Sequence, residues 1–304
     1  MTIQTQILEG KTPARLIREW VAENVADIKK RHGWTPGLVT IQVGCDAASE
    51  RYIRNQIKAC NSVGILARHE SFPESINKED FVKSFTKIAD DSEVDGMILQ
   101  TPLPKGWNRN EILDLMPPAK DVEGVHPENL GRLYLGEKDI PLPCTAHAAI
   151  SLLECYGRST FEGKKCTVLG RSPNVGRAAA LMMLHRQATV TICHTRTKPE
   201  DMTAALAGAD VVIAAAGVAG IVKPQELSEK AWVIDVGTNV TEDGRLVGDV
   251  APFESGMVAA ISPVPGGVGP LTVAMLLSNL LLCASRRRLG KGITLPALSE
   301  LRGS

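Results

Sequence analysis

Thr167-Val-Leu-Gly-Arg-Ser-Pro-Asn-Val-Gly176 runs from an apolar strand through a tight turn into a helix expected over 177–184. A strand, a glycine-bearing turn and a helix in that order set backbone N–H groups and a helix N-terminus where a doubly wound sheet binds a dinucleotide pyrophosphate. The G-x-G-x-x-G spacing is not kept. After Gly170, Ser172 and Val175 stand where the second and third glycines would fall. Taken alone, the turn reads equally as an ordinary strand–helix connection. Its place at the head of a second run of alternating strands and helices favours the dinucleotide reading, with Gly170, Arg171, Ser172, Val175 and Gly176 as the phosphate-facing set.

The next strand ends in Cys193-His194-Thr195-Arg196-Thr197, with no acid. NAD enzymes usually place Asp or Glu there to accept the ribose 2′-hydroxyl. Hydroxyls with Arg171 and Arg196 suit a 2′-phosphate instead, because guanidinium pairs with phosphate through charge-assisted bonds. The expectation is NADP rather than NAD, with His194, Thr195 and Arg196 beside the adenosine ribose.

Working outward, residues 165–169, 189–193, 211–215 and 233–236 form short apolar runs with helical segments between them. Such runs belong to parallel strands covered on both faces. Upstream, Leu16, Ile17, Trp20, Val21, Val25 and Ile28 give one apolar helical face. Strands are expected over 38–43, 65–72 and 96–100, and helices over 49–63, capped by Ser49, and 78–89. The prolines of 101–104 and 141–143 interrupt this pattern. The fold class is α/β with two α/β domains. Residues 1–140 form the first and 141–270 a Rossmann-like doubly wound parallel sheet, while 271–304 carry an apolar helix that returns to the first domain.

Lys+Arg and Asp+Glu are both 34 in a chain of 304 residues, so no broad basic footprint for nucleic acid is expected. The basic run Arg286-Arg-Arg288 reads as a solvated helix end. Seven cysteines, at 45, 60, 144, 155, 166, 193 and 283, form no C-x-x-C pair. Scattered and odd in number, they point to reduced thiols in a cytoplasmic compartment and to no metal site. Residues 1–9 lack a cationic flank before an apolar core, so no secretory signal is expected. The apolar stretch 270–284 is broken by Thr272, Ser278 and Asn279 and reads as a buried helix, not a membrane span.

Ile261-Ser-Pro-Val-Pro-Gly-Gly-Val-Gly-Pro-Leu-Thr-Val-Ala-Met-Leu276 closely resembles the C-terminal signature of the methylenetetrahydrofolate dehydrogenase/cyclohydrolase family. In the family's order follow Tyr52 with Lys58-Ala-Cys60, Gly96-Met-Ile-Leu-Gln-Thr-Pro-Leu-Pro104, Lys120-Asp-Val-Glu-Gly124, Pro143-Cys-Thr145, Gly170-Arg-Ser172 and Val233-Ile-Asp-Val-Gly237. The resemblance implies a homodimer that takes tetrahydrofolate derivatives in a cleft between its domains. It places Tyr52 against the pterin, with Leu99, Gln100 and Thr101 around the reacting region. The run Pro265, Gly266, Gly267, Val268, Gly269, Pro270, Leu271 and Thr272 would meet substrate with its backbone. Ala216, Gly217, Gly237 and Thr238 would stand beside NADP.

Two departures bear on chemistry. Oxidation removes hydride from the methylene carbon without moving a proton there, so positioning dominates. Hydrolysis of the methenyl product does move protons. The resemblance implies a lysine four residues after the tyrosine for that step, on the same helical face. Here position 56 is Gln, while Lys58 and Arg54 point elsewhere on a helix. The second departure is Glu123 where the family carries Asp against the pterin ring; Thr101, Ala146 and Ala148 are lesser ones. Four readings follow: a dehydrogenase with little cyclohydrolase activity, the full bifunctional enzyme, a non-catalytic NADP- or folate-binding paralogue, and an enzyme acting on a related pterin.

Overall fold

The computed structural model describes residues 4–44, 47–158 and 160–301, with the side chains of residues 47, 48, 51 and 299 set aside. Cys45 and the first three residues lie outside the described residues. In chain order the elements are β1 (Gln6–Ile7), α1 (Lys11–His32), β2 (Gly37–Val43), α2 (Ala47–Ser62), β3 (Leu66–Phe72), α3 (Lys78–Asp90), β4 (Gly96–Leu99), α4 (Arg109–Leu113) and α5 (Pro127–Tyr134). Then come α6 (Cys144–Cys155), β5 (Lys165–Leu169), α7 (Ala178–Leu184), β6 (Thr189–Cys193), α8 (Pro199–Ala207), β7 (Val211–Ala214) and β8 (Trp232–Asp235). The last are β9 (Asn239–Val240), β10 (Leu246–Val247), β11 (Ala260–Ile261), α9 (Val268–Leu289) and α10 (Leu298–Leu301).

The first unit comprises Ile17–Leu142 with Leu276–Pro296. Its parallel sheet has the order β3-β2-β4. Alternation along β2 decides the packing: Val39, Ile41 and Val43 meet Phe81, Phe85 and Ile88 of α3 in one core cluster. Asn77 caps α3 by accepting from the Asp80 N–H at 2.8 Å, so the helix enters with this apolar face set against the sheet. Each such side chain contributes about 1.5–3 kcal/mol by burial. The opposite face of β2, carrying Leu38, Thr40 and Gln42, is buried as well. Helix α2 starts two residues before the expected cap; Ser49 sits inside the first turn and donates to the Thr101 carbonyl at 3.2 Å.

The second unit comprises Pro143–Met275 with the residues up to Leu16 and from Ala297 on. Its sheet is parallel in the order β1-β11-β8-β7-β5-β6. The order reverses between β5 and β7, which is the switch point where ligands of such sheets bind. Two expectations are corrected here. Residues 4–16 join this unit because β1 pairs with β11, Gln6 opposite Ala260 and Ile7 opposite Ile261. Of the C-terminal segment only Leu276–Pro296 belongs with the first unit. Strand β6 is also not apolar on both sides; it forms the sheet's edge, and of its five residues only Cys193 is buried.

Helix α9 is 22 residues, long and apolar enough to cross a membrane by length and composition, yet most of it is buried within the protein. The basic run at its end is not a solvated tip. Arg288 Nε donates to Asp95 Oδ1 at 2.8 Å, Arg287 donates to the same oxygen, and the Arg288 guanidinium lies 4.8 Å from the Trp34 ring centre. Asp95 is fully buried and its other oxygen accepts the Gly37 N–H at 3.0 Å. Asp95→Asn turns one of these acceptors into a donor facing donors, and should cost about 1.5–3 kcal/mol of stability. Thermal unfolding measures it; an unchanged midpoint would show that the cluster adds nothing.

Candidate functional site

At the switch point the turn after β5 is shaped by two glycines. Gly170 has φ +120°, and a Cβ there would lie 2.0 Å from the Ala215 carbonyl oxygen at the end of β7. A Cβ on Gly176 would lie 2.2 Å from the Gly170 oxygen. Gly176 therefore gives the close helix–strand approach that the third glycine of the dinucleotide motif gives, one residue later than the spacing calls for. A π-helical turn, Pro173–Arg177, absorbs the extra residue, and Ser172 caps it by accepting the Gly176 N–H at 3.4 Å. Val175, expected in the third glycine's place, is displaced from that role by this insertion.

A cavity of about 340 Å³ opens here, lined by Gly170, Arg171 and Ser172 from the first turn, His194, Thr195 and Thr197 after β6, and Ala215, Ala216, Val218 and Ile221 after β7. The segment after β6 is a tight turn: the His194 N–H donates to Thr197 Oγ1 at 2.9 Å, and the Arg196 N–H to His194 Nδ1 at 3.1 Å. This leaves Thr195 and Arg196 exposed beside the cavity, with Arg171 exposed across from them and no carboxylate in the lining. The glycine-shaped turn and the cationic rim fit the end of a dinucleotide that carries a 2′-phosphate.

Ala216 and Gly217 are placed beside the cavity but not as free donors. Their N–H groups, with that of Val218, turn away and donate to the buried carboxylate of Asp249 at 2.6, 2.9 and 3.0 Å. Gly237 is buried and donates to Asp235 at 2.9 Å, while Thr238 is exposed. Neither lines the cavity. Asp249 escaped the sequence reading; the only signal was an acid in the apolar setting Val247-Gly-Asp-Val250.

In the first unit, Tyr52 and Gln56 lie one turn apart on α2. Tyr52 is 39% exposed and Gln56 only 1%. Both amide atoms of Gln56 are buried without a hydrogen-bond partner among the described residues, an arrangement uncommon in native cores. Lys58 is exposed, and Arg54 is turned outward onto Glu50 at 3.4 Å, so neither takes the place of position 56. Gln100 is half-buried at the end of β4 and Thr101 is exposed. The Leu99 side chain is 2% exposed inside the core cluster with Ile41 and Met97, so only its backbone could meet a ligand.

The loop that bears Glu123 is clamped on both sides. Lys120 Nζ donates to the Ala89 and Asp91 carbonyls at 2.6 and 2.7 Å. Asp121 accepts from the His126 N–H at 2.8 Å and from Asn129 Nδ2 at 2.9 Å. The Val122 carbonyl accepts from Asn279 Nδ2 of α9 at 2.9 Å. Between these anchors Glu123 is half-buried and makes no hydrogen bond among the described residues. Burial first, then the Asp121 carboxylate, push its carboxyl up to about 7 against the lowering field of Arg109. A carboxyl so perturbed and unpartnered marks a candidate binding group.

In the second unit the run from Pro265 to Thr272 leads into α9. The Gly10 N–H donates to the Gly266 oxygen at 2.9 Å and the Gly267 N–H to the Pro263 oxygen at 2.8 Å. Pro265 and Gly269 are exposed, while Pro270 and Thr272 are half-buried. Val268 and Leu271 are buried, so their side chains serve packing and only their backbone could meet a ligand.

Fold and cavity together define a two-unit α/β protein whose second unit is built for a nicotinamide dinucleotide. Residues 143–288 match the profile described as tetrahydrofolate dehydrogenase/cyclohydrolase, NAD(P)-binding domain, and residues 8–123 match the catalytic domain of the same description. The chain belongs to the tetrahydrofolate dehydrogenase/cyclohydrolase family. It is 40% identical over 285 residues to the bifunctional protein FolD of Methanosarcina mazei, covering 93% of this chain and 97% of that one. Among solved structures, the bifunctional enzyme FolD of Campylobacter jejuni superposes with a TM-score of 0.88 at 37% identity, covering 93% and 99% of the two chains. The Trypanosoma brucei methylenetetrahydrofolate dehydrogenase-cyclohydrolase, solved with NADP and an inhibitor, gives 0.87 at 33%, covering 94% and 99%.

Proposed function

We propose that this enzyme is an NADP-dependent dehydrogenase that oxidises 5,10-methylenetetrahydrofolate to the 5,10-methenyl form, with the hydrolytic step of the family weak or absent. The observation that carries the second half is Gln56, a buried neutral amide at the position where hydrolysis calls for a group that can carry a proton. When bound, NADP supplies the hydride acceptor. Gly170 and Gly176 shape the turn whose backbone meets its phosphates, and Arg171, Thr195 and Arg196 hold the 2′-phosphate. Tyr52, Gln100 and Glu123 orient the pterin, and the backbone of 265–272 supports it. Tetrahydrofolate derivatives are the substrates, and a cytoplasmic homodimer without nucleic-acid or membrane partners completes the reading.

Mixing methylenetetrahydrofolate, NADP and the protein should raise the absorbance of NADPH and of the methenyl product together. A charge-assisted phosphate bond contributes about 1.5–3 kcal/mol. Arg171→Ala should therefore raise the NADP KM by about tenfold or more and leave NAD use nearly unchanged. Equal kcat/KM for NADP and NAD in the unmutated protein would overturn the 2′-phosphate assignment.

A further inference from the structure

We infer that Asp249 is a positioning residue for the dinucleotide site, acting through the loop that follows β7; the inference rests on the NADP-binding role proposed above. Asp249 is fully buried. Its Oδ2 accepts from the Ala216 and Gly217 N–H groups, and its Oδ1 from the Val218 N–H and, at 2.8 Å, from Asn239 Nδ2. Three successive N–H groups aimed at one point form an anion-binding concavity. Here the anion is internal, so these donors fix the loop and are withheld from the cofactor.

The same residue closes the far end of the loop, because its backbone carbonyl accepts the Val222 N–H at 3.0 Å. Ala215, Ala216, Val218 and Ile221, which wall one side of the cavity, are thus strung between β7 and a single residue. Asp249 is held in turn. Asp235, at the end of β8, accepts the N–H groups of Asp249 and Val250, each at 2.9 Å. A Cβ on Gly248 would lie 1.8 Å from Asp235 Oδ2, so a glycine is required where the chain passes this carboxylate. Two buried carboxylates thereby fix one wall of the cavity to the ends of β7 and β8.

Asp249→Asn tests this, because neither orientation of the amide fits. Its NH₂ must face either the Ala216 and Gly217 donors or the Val218 and Asn239 donors. NADP affinity, read by calorimetric titration, should fall by about tenfold or more, since reversed buried hydrogen bonds of this kind cost at least that. NAD affinity should fall by the same factor, because the loop does not read the 2′-phosphate. The kcat at saturating NADP and the KM for methylenetetrahydrofolate should stay near their original values, a split that general loosening of the fold would not give.

Should Asp249→Asn fail to fold, Asn239→Ala decides. It removes a side-chain donor from Asp249 Oδ1 and leaves the carboxylate and every residue of the loop in place. Weaker NADP and NAD binding at constant kcat supports the inference. Unchanged binding in either folded variant, or a loss of kcat at unchanged NADP KM, overturns it. If the unmutated protein itself does not bind NADP, the functional reading falls instead, and the two failures are distinguished in one titration series.

Discussion

Gln56→Lys should raise enzymatic hydrolysis of methenyltetrahydrofolate by about 10²–10⁴-fold, from a starting protein that hydrolyses it no faster than buffer does. Water adds to the methenyl carbon and a C–N bond breaks, so a proton must leave the water and another must reach the departing nitrogen. An amide does neither. Position 56 is 1% exposed, one turn from Tyr52, and its amide has no partner to lose among the described residues. A lysine placed there is desolvated, which lowers its pKa toward the working range of a base. Hydride transfer should tolerate the same change with a modest loss, because an ammonium opposes the cationic product. The measurement is decay of the methenyl absorbance against the spontaneous rate. Robust hydrolysis by the unmutated protein would show that another group, Glu123 first among them, moves the proton. No gain in a folded Gln56→Lys variant would show that the rest of the hydrolytic site has drifted.

Much of this architecture was legible because it is local. The strands at 165–169 and 189–193 carry their pattern in five residues each, and both stand where the sequence places them. The Gly170 turn and the missing acid after β6 are likewise read from a few adjacent residues. What escaped the sequence depends on partners far along the chain. Residues 6–7 join a sheet through residues 260–261, and no local signal announces that pairing. Arg287 and Arg288 look like a solvated tip until Asp95, nearly two hundred residues earlier, is found buried beneath them. Gly176 is adjacent to the turn in sequence, but its packing role depends on a π-helical insertion that spacing rules do not anticipate. Asp249 is the plainest case. A carboxylate among valines gives no hint of its role until the fold brings three N–H groups to it.

Glu123→Gln should weaken tetrahydrofolate binding by about 10²-fold and leave NADP titration unchanged. Two hydrogen bonds from ring N–H groups to a carboxylate, each contributing about 1.5–3 kcal/mol, become one weaker bond and one donor–donor conflict. The pH dependence separates this from simple damage. Because burial raises the carboxyl to about 7, the free protein carries it partly protonated at neutral pH. Folate affinity should therefore rise with pH through about 7 in the unmutated protein and lie flat in Glu123→Gln. Stability runs the opposite way. A carboxyl whose folded pKa lies above its unfolded value contributes most below the unfolded value, near 4.5, and that contribution is lost as pH rises through about 7. Glu123→Gln should thus melt higher than the unmutated protein at pH 8 and no higher at pH 4.5. A substitution that strengthens the fold at the pH where it removes the ligand identifies a group held against its own solvation for binding. If folate affinity survives the change, or the melting difference is the same at both pH values, the carboxylate belongs to the loop's structure and the pterin is held elsewhere.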